Sequence, residues 1–487
     1  MKKRKTSKKW LLPLGCWLMG LSTTAMGADF VDDINATTNC YGYGHRVIYE
    51  LNVGEFSPEG TFNAAAARLE GLKTLGIDVV WLMPIYPRDE KSVEGAINSP
   101  YAAVDFKATR PQYGTIADLK ALVSKAHALN MEVWLDWVPN HNSLINVWVK
   151  EHPEYYKKDH KGEWIHPGSP PYLYSDVWQL DYENPELVLA MDDALKFWID
   201  QADIDGYRCD FISSRDIPAV YWMWQIPRLR EYAKAKGKET FTMLGEANFM
   251  DRSGRRLFGT GWDYDYAWEL QEPILRDIAG GSDAKKLKSD LTRLINYKEY
   301  ANLDRMVYLT NHDANYNHKK TLEGWYGDNR YAFQVLVFTL YGMPLLYNGD
   351  EIGGMQLLDY YDEWKVEWDK VDRKMLNTVR TLTALKHSVE AVQDGKTFEE
   401  RGIVEWVDTD NDAVLAYKRK HGDSEALVVL NLGKAAKVKL TGLTAGNYTQ
   451  WLDSKTIAKG VSRKATKLKE VQTLKLDAHG YAVFVKK

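Results

Sequence analysis

Along this chain, apolar residues follow two spacings that take turns. The run RVIYEL (46–51) reads as a strand, and FNAAAARLEGLKTLG after it reads as a helix closed by Gly76. The pair then recurs: strand IDVVWLMP, helix IADLKALVSKAHALN, strand MEVWLDWVPNH. Farther on, NPELVLAMDDALKFWID starts a helix at Asn184-Pro185 and carries an apolar stripe at Leu187, Met191, Leu195 and Trp198. Strand DGYRCDF, helix AVYWMWQIPRLREYAKA and strand TFTMLGEA follow, then WDYDYAW, RMVYLTNHD, the helix YAFQVLVFTL and MPLLYNG. About eight strands separated by helices or helix-length spacers predict a parallel (β/α)8 barrel.

Two stretches break the alternation. Residues 142–181 have little periodicity and many turn formers, which predicts a small inserted domain after the third strand, near whatever site the barrel carries. From residue 397 to 487 the pattern becomes short alternating strands (VLAYKRK, ALVVLNL, AKVKLTGL, GYAVFVKK), which predicts an antiparallel β-sandwich. The barrel itself is expected over 28–141 and 182–396.

The amino terminus has its own grammar. MKKRKTSKK is basic, WLLPLGCWLMGL is a short apolar core, and STTAMG ends in small residues. This predicts a signal peptide over residues 1–27 and an exported, periplasmic or extracellular protein. A competing reading takes Cys16 as a lipid-attachment site. The apolar core is too short to span a membrane, and no other segment reads as spanning. Of three cysteines only Cys40 and Cys209 follow the signal segment, too few for a disulfide framework. A net charge of −4, with both signs interspersed, argues against nucleic acid as a partner. The 18 Trp and 29 Tyr suit sugar faces as well as cores, so composition alone does not separate those uses. Oligomeric state is not legible in the chain.

Chemistry gathers where the strands end. Asp136, Asn140 and His141 follow VWL, Arg208 and Asp210 end GYRCD, Glu246 ends TFTML, and His312 and Asp313 end MVYLT. Each alone reads as a cap or turn residue. Four groups in register on one rim read as a site. Strand alternation puts Arg208 and Asp210 on one face and Cys209 on the other, under the helices, as a buried packing residue. Trp222 and Trp224 fall on a helix pattern and read as core. His312 and His318 have no metal-ligand spacing.

DWVPNH, GYRCD, GEAN and TNHD, in that order and on those strands, resemble the four signature regions of the α-amylase family of glycoside hydrolases. NSPYAAVDFKATRPQYGT and YGMPLLYNGDEIG resemble the stretches before its third strand and at its eighth. The resemblance implies Asp210 as nucleophile, Glu246 as general acid/base and Asp313 as a third carboxylate holding sugar hydroxyls. It implies that Arg208 orients Asp210 and keeps it ionised, that His141 and His312 bond the sugar, and that Tyr101 stacks on it. Asp136 and Asn140 are expected beneath the site as supports. The chemistry has its own logic: glycosidic cleavage needs an anion on one face and a proton donor at the leaving oxygen. Arg208 is therefore expected to lower the Asp210 pKa, and Glu246, distant from Arg208 in sequence, to sit where its own is raised.

The chain also departs from the family. Ser213 and Ser214 stand where many members have Lys and His, and Gln179 in WQLDYEN stands where an aspartate often binds calcium; only Asn140 remains of that usual set. No metal is therefore expected to be required, calcium being doubtful. The leading expectation is a retaining hydrolase of α-1,4 bonds in starch-derived glucans or maltooligosaccharides. The alternatives are an α-glucosyl transferase, phosphorylase or isomerase on the same scaffold, and a non-catalytic sugar-binding relative.

Overall fold

The computed structural model describes residues 44–90, 99–169, 172–296, 304–394, 402–461 and 463–486. The segment expected to be a signal peptide and the cysteines at 16 and 40 lie outside the described residues.

Eight strands run in one parallel sheet: β1 (Ile48–Leu51), β2 (Val79–Leu82), β3 (Glu132–Trp137), β4 (Gly206–Cys209), β5 (Thr242–Gly245), β6 (Asp265–Tyr266), β7 (Arg305–Val307) and β8 (Met343–Tyr347). Their order is β6-β7-β8-β1-β2-β3-β4-β5. The last seam is narrow: one bridge, Leu244 to Tyr264, joins β5 to the approach of β6, with Gly245 N–H donating to Tyr264 O at 2.9 Å, Asp263 N–H to Met243 O at 3.0 Å and Tyr266 N–H to Ala247 O at 3.0 Å. That seam closes the barrel. Side chains alternate as a doubly covered sheet demands. Ile48, Val79, Trp81, Trp134, Leu244 and Met306 pack together inside the barrel. Their neighbours Val80, Val133, Leu135, Tyr207, Cys209 and Met243 join the layer between strands and helices.

The helices begin and stop where local chemistry says. Helix α1 (Phe62–Leu75) starts at Thr61, whose hydroxyl accepts from Ala64 N–H, and stops at Gly76, which takes φ 97°. Helix α2 (Ile116–Ala128) starts with a reciprocal Thr115–Asp118 capping box. Helix α3 (Pro185–Ala202) buries Leu187, Met191, Leu195 and Trp198 on one face. Trp222, in α4 (Ala219–Ala235), is fully buried, whereas Trp224 is partly exposed with Arg228 over its ring.

After β3, residues His141–Ser143 pair antiparallel with Val177–Gln179, and Gly168–Ser169 pair with Tyr172–Leu173. From residue 402 onward the chain is antiparallel sheet. The strands are β9 (Ile403–Trp406), β10 (Asp408–Thr409), β11 (Val414–His421), β12 (Ser424–Asn431), β13 (Ala436–Thr441), β14 (Gly446–Asp453), β15 (Lys464–Leu468), β16 (Val471–Leu476) and β17 (Tyr481–Lys486). A sheet ordered β9-β11-β12-β17-β14-β15 and a second ordered β10-β13-β16 enclose Val429, Leu427, Val438, Leu440 and Phe484. This unit meets the barrel through Tyr417 OH to Thr339 Oγ1 at 2.5 Å and Tyr481 OH to Thr378 Oγ1 at 2.7 Å. No helix among the described residues is long and apolar enough to cross a membrane.

One local expectation is corrected. His312 and Asp313 do not end a strand: β7 stops at Val307, and His312–His318 is a short helix. Asn311 is the cause, because its side chain accepts from Ala314 N–H and so caps a new helix.

Cys209 is fully buried among Trp137, Tyr207 and the helices, and burial pushes its thiol well above the usual range. Such a thiol is a packing group. Cys209→Ser should keep full activity and lose about 1–3 kcal/mol of stability, since a hydroxyl is buried without a matched partner; activity assays beside thermal melts check both halves.

Candidate functional site

The mouth of the barrel is a cleft of about 270 Å³ lined by Tyr101, His141, Asp210, Glu246, His312 and Asp313. Every one of these was singled out from the chain alone. The structure adds Tyr174 and Asp176 from the inserted segment, Phe211, Asn317, and Tyr360 and Tyr361 from the loop after β8. Arg208 lies just beneath, with no exposed surface.

Arg208 organises the floor. Its Nη1 donates to both Asp136 oxygens at 3.0 Å and to Asp210 Oδ1 at 3.1 Å, and its Nε donates to Tyr266 OH at 3.0 Å. Its Nη2 meets Glu246 Oε2 at 3.0 Å as an ion pair without hydrogen-bond alignment. The guanidinium also lies over the Trp81 ring, 4.9 Å from its centroid. Asp136 takes two more donors, Trp81 Nε1 at 3.1 Å and Tyr101 OH at 3.4 Å. Burial nevertheless lifts the Asp136 pKa to about 7, against the pull of Arg208.

Two electrostatic expectations are corrected here. Glu246 is not remote from Arg208, because β5 lies beside β4 and brings it onto the same guanidinium. Asp210, expected to be held low by Arg208, is pushed well above the usual carboxylate range by burial and then by Glu246, with Arg208 opposing. Both carboxyls sit on the one guanidinium, at 3.1 and 3.0 Å, so each feels the other's charge. One guanidinium thus faces three carboxyls, with the His312 ring as a second positive charge acting on Asp136.

The chain just beyond Asp210 is bent to serve this pair. Phe211 takes φ 43°, a left-handed conformation that costs a side-chain-bearing residue roughly 1 kcal/mol or more. In that pose its backbone N–H donates to Glu246 Oε2 at 2.7 Å. The loop after β4 thereby aims the residue after β5.

The two histidines differ in charge. His312 Nδ1 bonds Glu50, its Nε2 lies 2.8 Å from Tyr101 OH and 3.5 Å from Asp313 Oδ2, and its ring stacks on Tyr101 at 5.4 Å. Burial opposes its charge, but Asp313 and Glu50 prevail and raise its pKa to about 9. His141 has no such partners: burial lowers it to about 4, and Asn140 Nδ2 donates to its Nδ1 at 3.2 Å. A cation and a neutral imidazole thus face one cleft. His312 also gives a pH signature, because its folded-state pKa exceeds the ordinary 6.5. The stability it contributes is complete below about pH 6.5 and is lost as pH rises towards about 9, on the order of 3 kcal/mol in all. Melting temperature should therefore fall across that window, and fall less steeply in His312→Gln.

Asp313 is the most open of the carboxylates and receives Asn317 Nδ2 at 3.0 Å. It and Asn317 also line an adjoining cleft of about 280 Å³ with Trp268, Glu272, Arg276 and Tyr308. Tyr360 stacks on Tyr361 at 4.7 Å, and Tyr316 touches both, making an aromatic rim. Tyr174 is 53% exposed across the cleft. Two partners went unread in the chain. Glu50 had a signal, a lone acid in the apolar run RVIYEL; Tyr266 had none, since nothing local marks it as a partner of Arg208.

The model of the alpha-amylase catalytic domain matches residues 29–179 and 171–413. The α-amylase MalA of Haloarcula japonica is 27% identical over 410 residues, covering 82% of this chain and 57% of the relative. A 1,4-α-glucan branching enzyme of Clostridium perfringens is 24% identical over 448 residues, covering 81% of this chain and 62% of its own length. The chain thus spans little more than half the length of these curated relatives. Among solved structures, the maltogenic α-amylase AmyB of Thermotoga neapolitana superposes with a TM-score of 0.72 at 24% identity, over 91% of this chain and 99% of that one. With the barrel, the inserted segment and the rim carboxylates all in place, the match across most of its length means that this chain belongs to the α-amylase family of glycoside hydrolases.

Proposed function

We propose that the protein is a retaining hydrolase of α-1,4-glucosidic bonds in starch-derived glucans or maltooligosaccharides. The observation that carries this is the grip of one guanidinium on two carboxyls, with a third carboxylate on the same cleft. Retaining glycosidases hold their two carboxyls about 5–5.5 Å apart, closer than the about 6.5–9.5 Å of inverting ones, and a pair gripped by one guanidinium fits the closer spacing. Asp210, ionised, attacks the anomeric carbon as Glu246 protonates the departing oxygen. The reactive form is the one with Asp210 ionised and a proton on Glu246. Glu246 then takes a proton from water, which opens the glycosyl–Asp210 ester and restores both groups. Asp313 and His141 hold sugar hydroxyls. His312 reaches the sugar through Tyr101 and Asp313, since both its ring nitrogens already have partners.

The adjoining cleft favours a second reading, transfer to a sugar. Trp268 and Tyr308 offer ring faces beside the polar Glu272 and Arg276, next to Asp313, where an acceptor hydroxyl would compete with water for the intermediate. One experiment separates these. The purified protein is incubated with soluble starch, maltotriose, isomaltose, sucrose and trehalose, and proton NMR follows the first anomer formed. An α product of shorter length is expected; longer oligosaccharides would establish transfer, a β product would overturn retention, and inertness on all five would remove the enzymatic reading.

A further inference from the structure

The calcium site implied by the family resemblance would draw on Asn140 and on the position of Gln179. The residues present do not fit a divalent cation. Gln179 is fully buried, and its Nε2 donates to Asn140 O at 2.8 Å, to Asn140 Oδ1 at 3.1 Å and to Leu180 O at 3.2 Å. Two of these oxygens are backbone carbonyls, which can only accept. The amide can therefore face them only with its nitrogen. Its Oε1 is buried without a donor among the described residues, an arrangement that costs free energy and is kept. Calcium typically takes six to eight oxygens with carboxylates among them. Among the described residues no group of three or more His, Cys, Asp or Glu could hold a metal ion.

We infer that the Gln179 amide stands in for the cation, as a neutral strut that pins Asn140 and, through it, sets the hydrogen-bond polarity of His141. Asn140 Oδ1 is committed to Gln179, so Asn140 turns its Nδ2 to His141 Nδ1 at 3.2 Å. That leaves the ring proton on Nε2. The strand pairing of His141 with Gln179 keeps all three in register and ties the inserted segment to the end of β3. Gln179 is thus a positioning residue. What His141 then does rests on the glucan-hydrolase reading; the strut itself does not.

Three measurements on the full chain test this. Wild-type protein should melt at the same temperature in EDTA and in millimolar calcium. Gln179→Asp should melt several degrees lower in EDTA and recover in calcium, because a carboxylate restores a cation-binding set. Gln179→Leu should lower kcat/KM at least tenfold, and in 15N-histidine spectra the His141 nitrogens should shift from a single Nε2-protonated form to a mixture, which stability alone would not produce. A wild-type melt that falls in EDTA and returns with calcium would overturn the proposal, as would wild-type spectra in Gln179→Leu. If Gln179→Leu does not fold, the wild-type melts and Gln179→Asp still decide. A protein inert on every α-glucoside that melts as stated would lose the enzymatic reading and keep the strut.

Discussion

Asp210→Asn should abolish turnover of α-glucans, by roughly ten-thousandfold or more, while the protein melts no lower than wild type at pH 7. The loss follows because an amide cannot form the glycosyl ester, and neither Glu246 nor Asp313 is placed to substitute for it. The retained stability follows from the electrostatics. Burial and Glu246 raise the Asp210 carboxyl, so ionising it in the folded protein is costly. A group of that kind contributes stability at low pH that is lost as pH rises through its folded-state value, and a neutral amide escapes the loss. The variant's advantage in melting temperature should therefore widen as pH increases. Kinetics on maltooligosaccharides with melts at several pH values check both halves. Turnover within a factor of ten of wild type would remove Asp210 from its role.

Arg208→Leu should be the most damaging single change to the fold near the site. The side chain has no exposed surface, and removing it leaves Asp136, Asp210 and Glu246 without their cation. Breaking a buried ion pair from one side costs about 3–5 kcal/mol, and for a domain of this size that lowers the melting temperature by about 5 °C. Leucine also loses the contact over Trp81 and the bond to Tyr266. Arg208→Lys should recover part of the stability but little activity, since one ammonium cannot reach all three carboxyls in a fixed plane. Denaturation curves and turnover for both variants check this, and a leucine variant as stable as wild type would mean the charges are balanced elsewhere.

Much of the architecture could be read from the chain because apolar period and strand-end polarity act locally. Gly76 stops a helix by taking a left-handed backbone, Asn184 starts one by capping it, and alternation alone places Cys209 behind the sheet and Arg208 within it. Asp210 and Glu246 were legible since each follows directly on a strand's end. What could not be read is how adjacent strands combine charges. Glu246 is 38 positions from Arg208, so nothing local shows that they share an ion pair, and the expectation of a depressed Asp210 failed on that account. The charged state of His312 likewise depends on Glu50, a residue from the opposite end of the barrel's sequence. Asn311 misled in another way: it reads as part of a strand's polar end, yet its side chain starts a helix.

The narrow join between β5 and β6 lies directly under Glu246. A cylinder whose strands pair in register elsewhere but meet at one line through a single bridge and an irregular approach will breathe first along that line when warmed. Heat should therefore silence the protein before it melts, and amide exchange at Leu244 and Gly245 should quicken at temperatures where the outer helices are still protected.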